Sequence, residues 1–435
     1  MRHLALIPAL LLAACGEGDG ADQIGPNPTI PAPRQPLFPS LNVAKVVGWQ
    51  EGEAPKAPPG FRVQALARGL SHPRFVYVLP NGDVLAVESR APEPGEPVDR
   101  PKEPIRDYFQ GLSSAANPAP GKEPSNRITL IRDANGDGVP EGRTVFLDGL
   151  NSPFGVVLVG GDLYVANTDG VVRYPYVTGQ TRITAAPTPV APLPGGPYNH
   201  HWTKSLTASP DGSRLYATVG SNSNVGENGM EAEHGRAAVW EIDRASGAAR
   251  LFAGGLRNPN SPHFYPGSNQ LWVVTNERDE IGPNASPDYL TSVRPGGFYG
   301  WPYSYWGRHV DVRVQPQRPD LVARAIMPDY ALGSHVAALG LDFYTGTSFP
   351  PPYRGGAFIG EHGSWNRSAV SGYKVAFVPF ANGRPSGPAQ DFLTGFLAGS
   401  GRTHGRPVGV TVDRTGALLV ADDVGNTVWR VSWSG

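Results

Sequence analysis

The chain has 435 residues, 40% of them apolar, with 55 glycines, 46 prolines, nine tryptophans and one cysteine. That much Gly and Pro beside an ordinary apolar content excludes collagen and disorder, and at roughly 150 residues per domain the length allows about three domains or one large repeat fold. Only 17% of residues are charged and 37 Lys and Arg oppose 38 Asp and Glu, a net charge of -1, so there is no electrostatic footprint for nucleic acid or for an anionic membrane surface. Many turn formers, many aromatics and few charges favour an all-β protein over a helical bundle.

Arg2 and His3 precede an apolar run, Leu4 to Ala14, that ends at Cys15. This is the pattern of an export signal, and at about eleven residues the run is too short to cross a bilayer core about 30 Å thick. Leu12-Ala13-Ala14-Cys15 resembles the bacterial lipobox, in which the signal is cut before the cysteine and the thiol is lipidated; a buried cysteine behind an ordinary signal is the alternative. The resemblance implies a lipid-anchored, periplasm-facing chain, and Gly16 in place of Asp points to the outer membrane. With Cys15 on lipid no thiol is left for disulfides or Cys-ligated metal. Redox chemistry then requires an imported cofactor, and without a C-x-x-C-H haem motif its electrons must leave to a separate acceptor. Residues 16–42 lack periodicity and are full of Gly, Pro and Asp, which fits a flexible tether. The folded unit is expected over residues 43–435.

One phrase recurs along that unit: a Gly- or Asn-containing turn, an alternating apolar run, then a small or polar residue. Its copies are 80–89, 160–168, 210–220, 266–276, 353–363 and 414–423, centred on Leu85, Tyr164, Tyr216, Trp272, Phe358 and Leu419. The copies stand further apart than the about 40–45 residues of compact propeller repeats, which implies long loops. Six turn-strand units of this kind predict four-stranded blades arranged radially, a six-bladed β-propeller. Residues just after each copy, among them Glu88, Asn167, Ser221, Asn276 to Glu280, Glu361 to Arg367, and Asp422 with Asp423, are then expected to gather at one mouth of a central tunnel.

The Pro-rich stretch 91–125 reads as a long surface loop. Asp133-Ala134-Asn135-Gly136-Asp137-Gly138 is similar to the first half of an EF-hand loop, but Thr144 stands where the bidentate Glu belongs. A hairpin turn is the expectation there, with a bound ion as the alternative.

Three segments concentrate chemistry. Tyr198-Asn199-His200-His201-Trp202-Thr203-Lys204 offers two imidazoles as a general base or as metal ligands, although neighbouring side chains of an extended segment face opposite ways. Gly254 to Pro262 sets the fixed cationic fork of Arg257 beside Asn258. Thr275 to Gly282 is rich in oxygen donors of the kind that suits Ca²⁺.

In this order, with GGFYGWP, GEHGSWNRS, GYKV, GRPVGV and DDVGNTVWRV behind them, these segments resemble the soluble quinoprotein sugar dehydrogenases, most closely the sorbosone dehydrogenase branch that uses pyrroloquinoline quinone (PQQ). The likeness runs from about Gly60 to the C-terminus. It implies His201 as catalytic base and Arg257 beside the quinone carbonyls. Asn151, Asn258, Arg367 and Arg406 are implied as cofactor-binding residues, and Ca²⁺ is implied in the loop Asn276, Glu277, Arg278 and Asp279. His200 and Val408 depart from the glucose-oxidising members, and Val408 stands where a second cofactor arginine belongs. The implied reaction passes a hydride from an aldose, sugar aldehyde or polyol to PQQ. A metal-dependent, lactonase-like hydrolase and a non-catalytic binding propeller are the competing readings.

Overall fold

A computed structural model of the chain describes residues 21–34, 42–92, 125–196, 198–399 and 401–435. The expected lipidation site Cys15, most of the 91–125 loop and part of the expected tether lie outside these residues.

The described residues form the expected six-bladed β-propeller, each blade a mostly antiparallel sheet built around four strands. The innermost strands of blades 1 to 6 are Pro73–Val78, Val156–Val159, Leu206–Ala208, Asn258–Phe264, Ala338–Phe343 and Pro407–Val412. Successive innermost strands lie against one another from blade 2 round to blade 1, and Leu158 N donating to Tyr77 Oη at 3.1 Å ties blade 1 to blade 2. The ring is sealed by an outer strand from the other end of the chain: Phe61–Arg68 pairs with Thr427–Trp433 in blade 6. Phe61 anchors it, its ring centroid 4.7 Å from Phe349 and 5.0 Å from Phe392, edge contacts that add to the area buried.

Each copy of the recurring phrase is the second strand of its blade: Val84–Glu88, Asp162–Asn167, Arg214–Val219, Leu271–Asn276, Ala357–Glu361 and Leu418–Asp422. Almost every residue of these strands is buried, because each blade is covered on both faces by its neighbours, and a strand buried on two faces is apolar throughout. Six apolar clusters fill the six interfaces between blades. Close to the axis there is little room. A Cβ on Gly340 or on its partner Gly360 would stand 2.0 Å from Val408 O, so blades 5 and 6 approach only through glycine. Val408 is fully buried there.

The Asp133–Gly138 stretch is a hairpin turn. Asp133 accepts from Gly136 N at 2.9 Å and Gly138 N at 2.8 Å, so its carboxylate is used by the turn itself. The tether reading needs correction over residues 21–34. Ile24–Gly25 pairs with Tyr330–Ser334 as an edge strand of blade 4, and Arg34 N donates to Ile281 O at 2.8 Å. A composition poor in apolar residues does not prevent backbone groups from docking on a sheet edge.

Candidate active site

The inner strands begin, and the second strands end, at the same mouth, so the loops between them meet there. Side chains link the blades around this rim. Thr168 Oγ1 (blade 2) donates to Trp202 O at 3.0 Å, and Thr203 Oγ1 (blade 3) to Asn260 Oδ1 of blade 4 at 3.1 Å. Asn276 Nδ2 (blade 4) reaches Ala338 O of blade 5 at 3.1 Å. Arg406 (blade 6) donates to His362 O at 3.0 Å and to Gly363 O at 2.9 Å. Arg74 (blade 1) pairs with Asp423 of blade 6 at 2.9 Å. Its guanidinium also lies 5.6 Å from the Trp202 ring centroid, which brings the circuit back to the His200-His201 segment.

His201 is set by its ring nitrogens. Nδ1 lies 3.0 Å from Ser221 O and 2.9 Å from Ser221 Oγ. A carbonyl only accepts, so Nδ1 carries the proton and the lone pair is left on Nε2. Burial first, then the charges of Arg257 and His200, push the imidazole well below its ordinary 6.5, so it is a neutral base near pH 7. Gly220 makes room for it: a Cβ there would stand 2.4 Å from His201 Cβ and 2.5 Å from Asn258 Oδ1. The segment is a bend, and the two histidine rings lie edge to face at 4.6 Å. Neighbouring imidazoles diverge only on an extended segment, and this one is not extended.

Arg257 is buried and fully oriented. Nη2 binds Asp279 Oδ2 at 3.0 Å and Asn224 Oδ1 at 3.0 Å, Nη1 donates to Glu277 O at 2.6 Å, and Nε to Asn224 O at 3.1 Å. Its own carbonyl accepts from Ser221 N at 2.7 Å, which couples the arginine turn to the residue that holds His201. Burial acts to raise the Asp279 carboxyl, but His335, Arg257 and His200 outweigh it and hold the group below the usual carboxylate range. Asp279 Oδ1 also accepts from Asn366 Nδ2 at 2.7 Å. Nothing in the local patterns around His335, Asn224 or Arg74 marks them for this rim; each is recruited across blades.

A second cluster gathers around Asp423, which meets His362 Nε2 at 2.8 Å, Arg74 Nη1 at 2.9 Å and His72 Nε2 at 3.5 Å. Burial, followed by the nearby Arg406 charge, lowers His362 to about 4.

The residues expected at the cofactor separate into groups. His201, Arg257, Asn258 and Arg406 stand on the rim, and Asn151 is exposed in the loop ahead of the blade 2 inner strand, its carbonyl accepting from Thr168 N at 3.0 Å. Arg367 donates to Asn284 Oδ1 at 2.7 Å and Ser334 O at 3.3 Å, which makes it a brace between the loops of blades 4 and 5.

The expected calcium loop is not an ion cradle. Glu277 O already accepts from Arg257, and Asp279 O accepts from Arg313 Nη1 at 3.1 Å and Asn224 Nδ2 at 3.2 Å. The Arg278 side chain is buried between Glu277 and Asp311, 3.0 Å from each. The Asn276 amide is bound to Asn258 at 3.3 Å and to Ala338. Guanidiniums at these carbonyls would face a cation with the same sign of charge, so Asn276, Glu277, Arg278 and Asp279 do not fit Ca²⁺. Among the described residues no three His, Cys, Asp or Glu side chains are grouped to hold an ion.

Residues 166–366 match the Glucose / Sorbosone dehydrogenase family, and residues 320–434 match TrAA12-like. An uncharacterized protein of Borreliella burgdorferi is 30% identical over 241 residues, 55% of this chain and 62% of that protein. A pyrroloquinoline quinone-dependent pyranose dehydrogenase of Coprinopsis cinerea is 23% identical over 366 residues, 74% of this chain and 44% of that protein. The chain thus spans less than two thirds of either relative's length. The solved PQQ domain of the Coprinopsis cinerea pyranose dehydrogenase, in its holo form, superposes with a TM-score of 0.69 at 20% identity, covering 90% of this chain and 100% of that domain; at that identity the likeness is one of fold. The stretch matched to the Glucose / Sorbosone dehydrogenase family, residues 166–366, is the one that carries His201, Arg257 and Asp279.

Proposed function

We propose that the protein is a PQQ-dependent oxidoreductase that removes hydride from an aldose, a sorbosone-like sugar aldehyde or a polyol, and passes the electrons to a separate acceptor. The observation that carries this reading is the pairing of a neutral, oriented imidazole, His201, with a buried guanidinium, Arg257, at one tunnel mouth.

The rim suits a flat polycarboxylate. Arg74, Arg257 and Arg406 supply fixed positive charge. Asn258 Oδ1, Arg74 Nε and Asn366 Oδ1 are buried there with no hydrogen-bond partner in the described residues, and such atoms carry a desolvation penalty until a ligand satisfies them. Arg74, Arg406 and Asn258 would hold the cofactor and Arg257 would lie against its reacting end. When bound, PQQ supplies a two-electron acceptor for the substrate hydride.

The remaining steps belong to the chain's own residues. His201 Nε2 takes the proton of the substrate hydroxyl as the C–H bond on the same carbon gives up hydride, so an alcohol carbon becomes a carbonyl and an aldose becomes a lactone. Ser221 keeps Nδ1 protonated throughout and fixes the ring plane. Arg257, locked by Asp279 and Asn224 before substrate arrives, stabilises negative charge that develops on the acceptor oxygen, and its orientation costs nothing at the moment of reaction. Stabilising interactions of this kind are strongest where water is excluded, and Arg257 is 2% exposed.

The test is to supply purified protein with PQQ and follow an artificial dye while aldoses, sugar aldehydes and polyols are added in turn. Dye reduction that requires both PQQ and sugar supports the reading; none with any of the three classes contradicts it.

A further inference from the structure

The described parts of residues 21–56, upstream of the first blade strand, run along the mouth face and touch three of the loops that build the site. At blade 4, Gln23 donates to Asn284 O and accepts from Ser334 Oγ at 3.0 Å, and Arg34 N donates to Ile281 O at 2.8 Å. That loop carries Asp279, and Asn284 Oδ1 is the acceptor for Arg367. At blade 5, Asn42 donates through N to Trp365 O and through Nδ2 to Ser368 O, each at 2.8 Å. These contacts flank Asn366, the partner of Asp279. At blade 6, Lys45 N and Val47 N donate to Gly401 O and Thr403 O at 2.8 Å, and Gly48 O lies 2.8 Å from His404 Nδ1.

Trp49 completes the last contact. Its ring stacks on His404 at 4.8 Å with an interplanar angle of 21°, and its indole N–H donates to Asp422 Oδ2 at 2.7 Å. The other carboxylate oxygen, Asp422 Oδ1, accepts from Arg406 N at 2.8 Å and Gly425 N at 2.9 Å. One buried carboxylate is therefore shared between the arm and the backbone of the rim arginine.

We infer that this N-terminal arm is a clasp on the mouth, with Trp49 and Gln23 as positioning residues that hold the loops of Arg406 and Asp279 in the geometry that receives the cofactor. The inference rests on reading the mouth as the PQQ site. Because the arm and the cofactor bear on the same loops, each stabilises the bound state of the other, and the coupling is reciprocal. The arm differs from a general structural brace in one respect: its own amides must respond to ligand.

The test uses the full chain as wild type, Trp49→Phe and Gln23→Ala, and measures hydrogen exchange with and without PQQ, together with the PQQ dissociation constant. Without ligand, Trp49→Phe should exchange the Arg406 and Gly425 amides about tenfold faster or more while the inner-strand amides stay as in wild type, since local opening is set by local contacts. PQQ should slow exchange at Asn42, Lys45 and Val47 in the wild type and bind each variant roughly tenfold more weakly, a coupling of ordinary size. Unchanged exchange at Arg406 and Gly425 in the ligand-free variant overturns the clasp, whether or not PQQ binds. Equal PQQ affinity in all three proteins, with arm amides indifferent to PQQ, overturns it as well. Should wild type bind no PQQ, the reading of the mouth falls, while the ligand-free comparison still decides the arm's role; if Trp49→Phe does not fold, Gln23→Ala gives the same comparison at the Arg34 amide, which donates to Ile281 O.

Discussion

His201 and Ser221 form a fixed pair: the imidazole Nδ1 donates to the Ser221 carbonyl at 3.0 Å, so a single tautomer is present and Nε2 is the basic nitrogen. The neighbouring Ser221 N is bound to Arg257 O at 2.7 Å, which makes base and guanidinium parts of one backbone unit. His201→Ala should lower kcat by about 100-fold or more, the usual contribution of a general base, and leave PQQ affinity within about threefold of wild type. Steady-state turnover and a PQQ titration measure the two quantities; near-normal turnover removes His201 from the base role.

The same geometry fixes the pH profile. A base must be unprotonated to act, and His201 is held well below 6.5 by burial and then by Arg257, so the acid limb of kcat/KM should lie below pH 6.5. Arg257→Met removes a positive neighbour and should move that limb to higher pH in whatever activity remains. Arg257→Lys keeps the charge and should leave the limb in place while still lowering kcat, because a lysine cannot reproduce the forked contacts to Asp279 and Asn224.

How much of this was legible in the sequence depends on what held each part. The six blades were readable because strands buried on both faces are continuous apolar runs, and Leu85, Tyr164, Tyr216, Trp272, Phe358 and Leu419 all fall on second strands. His201, Arg257 and Arg406 were readable because each stands in a short motif beside an inner strand. The arm was not: Arg34, Asn42, Lys45 and Val47 hold the rim through backbone N–H groups, which leave no trace in side-chain pattern. The loop 276–279 looked like a calcium loop because its oxygens are visible in sequence, whereas the guanidiniums of Arg257 and Arg313 that occupy its carbonyls come from other segments. The Asp423 cluster draws on residues 72, 74 and 362, a spacing no local pattern reveals.

Asp423→Asn tests that cluster as structure. Burial acts to raise its carboxyl, but His362, His72 and Arg74 hold it below the ordinary 3.8. A lowered carboxylate contributes stability above its unfolded value, and that contribution disappears as pH falls below it. Loss of the buried charge leaves Arg74 without its carboxylate, at a cost of about 3–5 kcal/mol. Thermal unfolding at pH 7 should show Tm lower by several degrees, with the gap to wild type closing below pH 3.8.

Glu361 gives the opposite sign. Its side chain is buried in the second strand of blade 5, Oε2 has no hydrogen-bond partner in the described residues, and burial raises its carboxyl from 4.5 to about 8. A raised group stabilises the fold fully below its unfolded value and loses that contribution as pH rises toward the folded value. Glu361→Gln should therefore unfold close to wild type at pH 4.5 and at higher temperature than wild type at pH 8 and above. Parallel melting curves at both pH values contradict this.

Cys15 tests the proposed anchor. It stands six positions before Ala21, so at no more than about 3.6 Å per residue a lipid there would lie within about 22 Å of the arm on the mouth face. Cys15→Ser should move the protein from the membrane fraction to the soluble fraction of the envelope, read by fractionation and immunoblot, with dye-linked activity unchanged.

The most direct measurement is anaerobic: PQQ-loaded wild type and His201→Ala are mixed separately with an aldose, without dye, and the quinone absorbance is followed through a single turnover. Wild type should bleach completely with substrate, and the variant about 100-fold more slowly or worse. Equal bleaching in both proteins, or a PQQ-free protein that hydrolyses lactones while the loaded one leaves sugar untouched, contradicts a dehydrogenase built on His201.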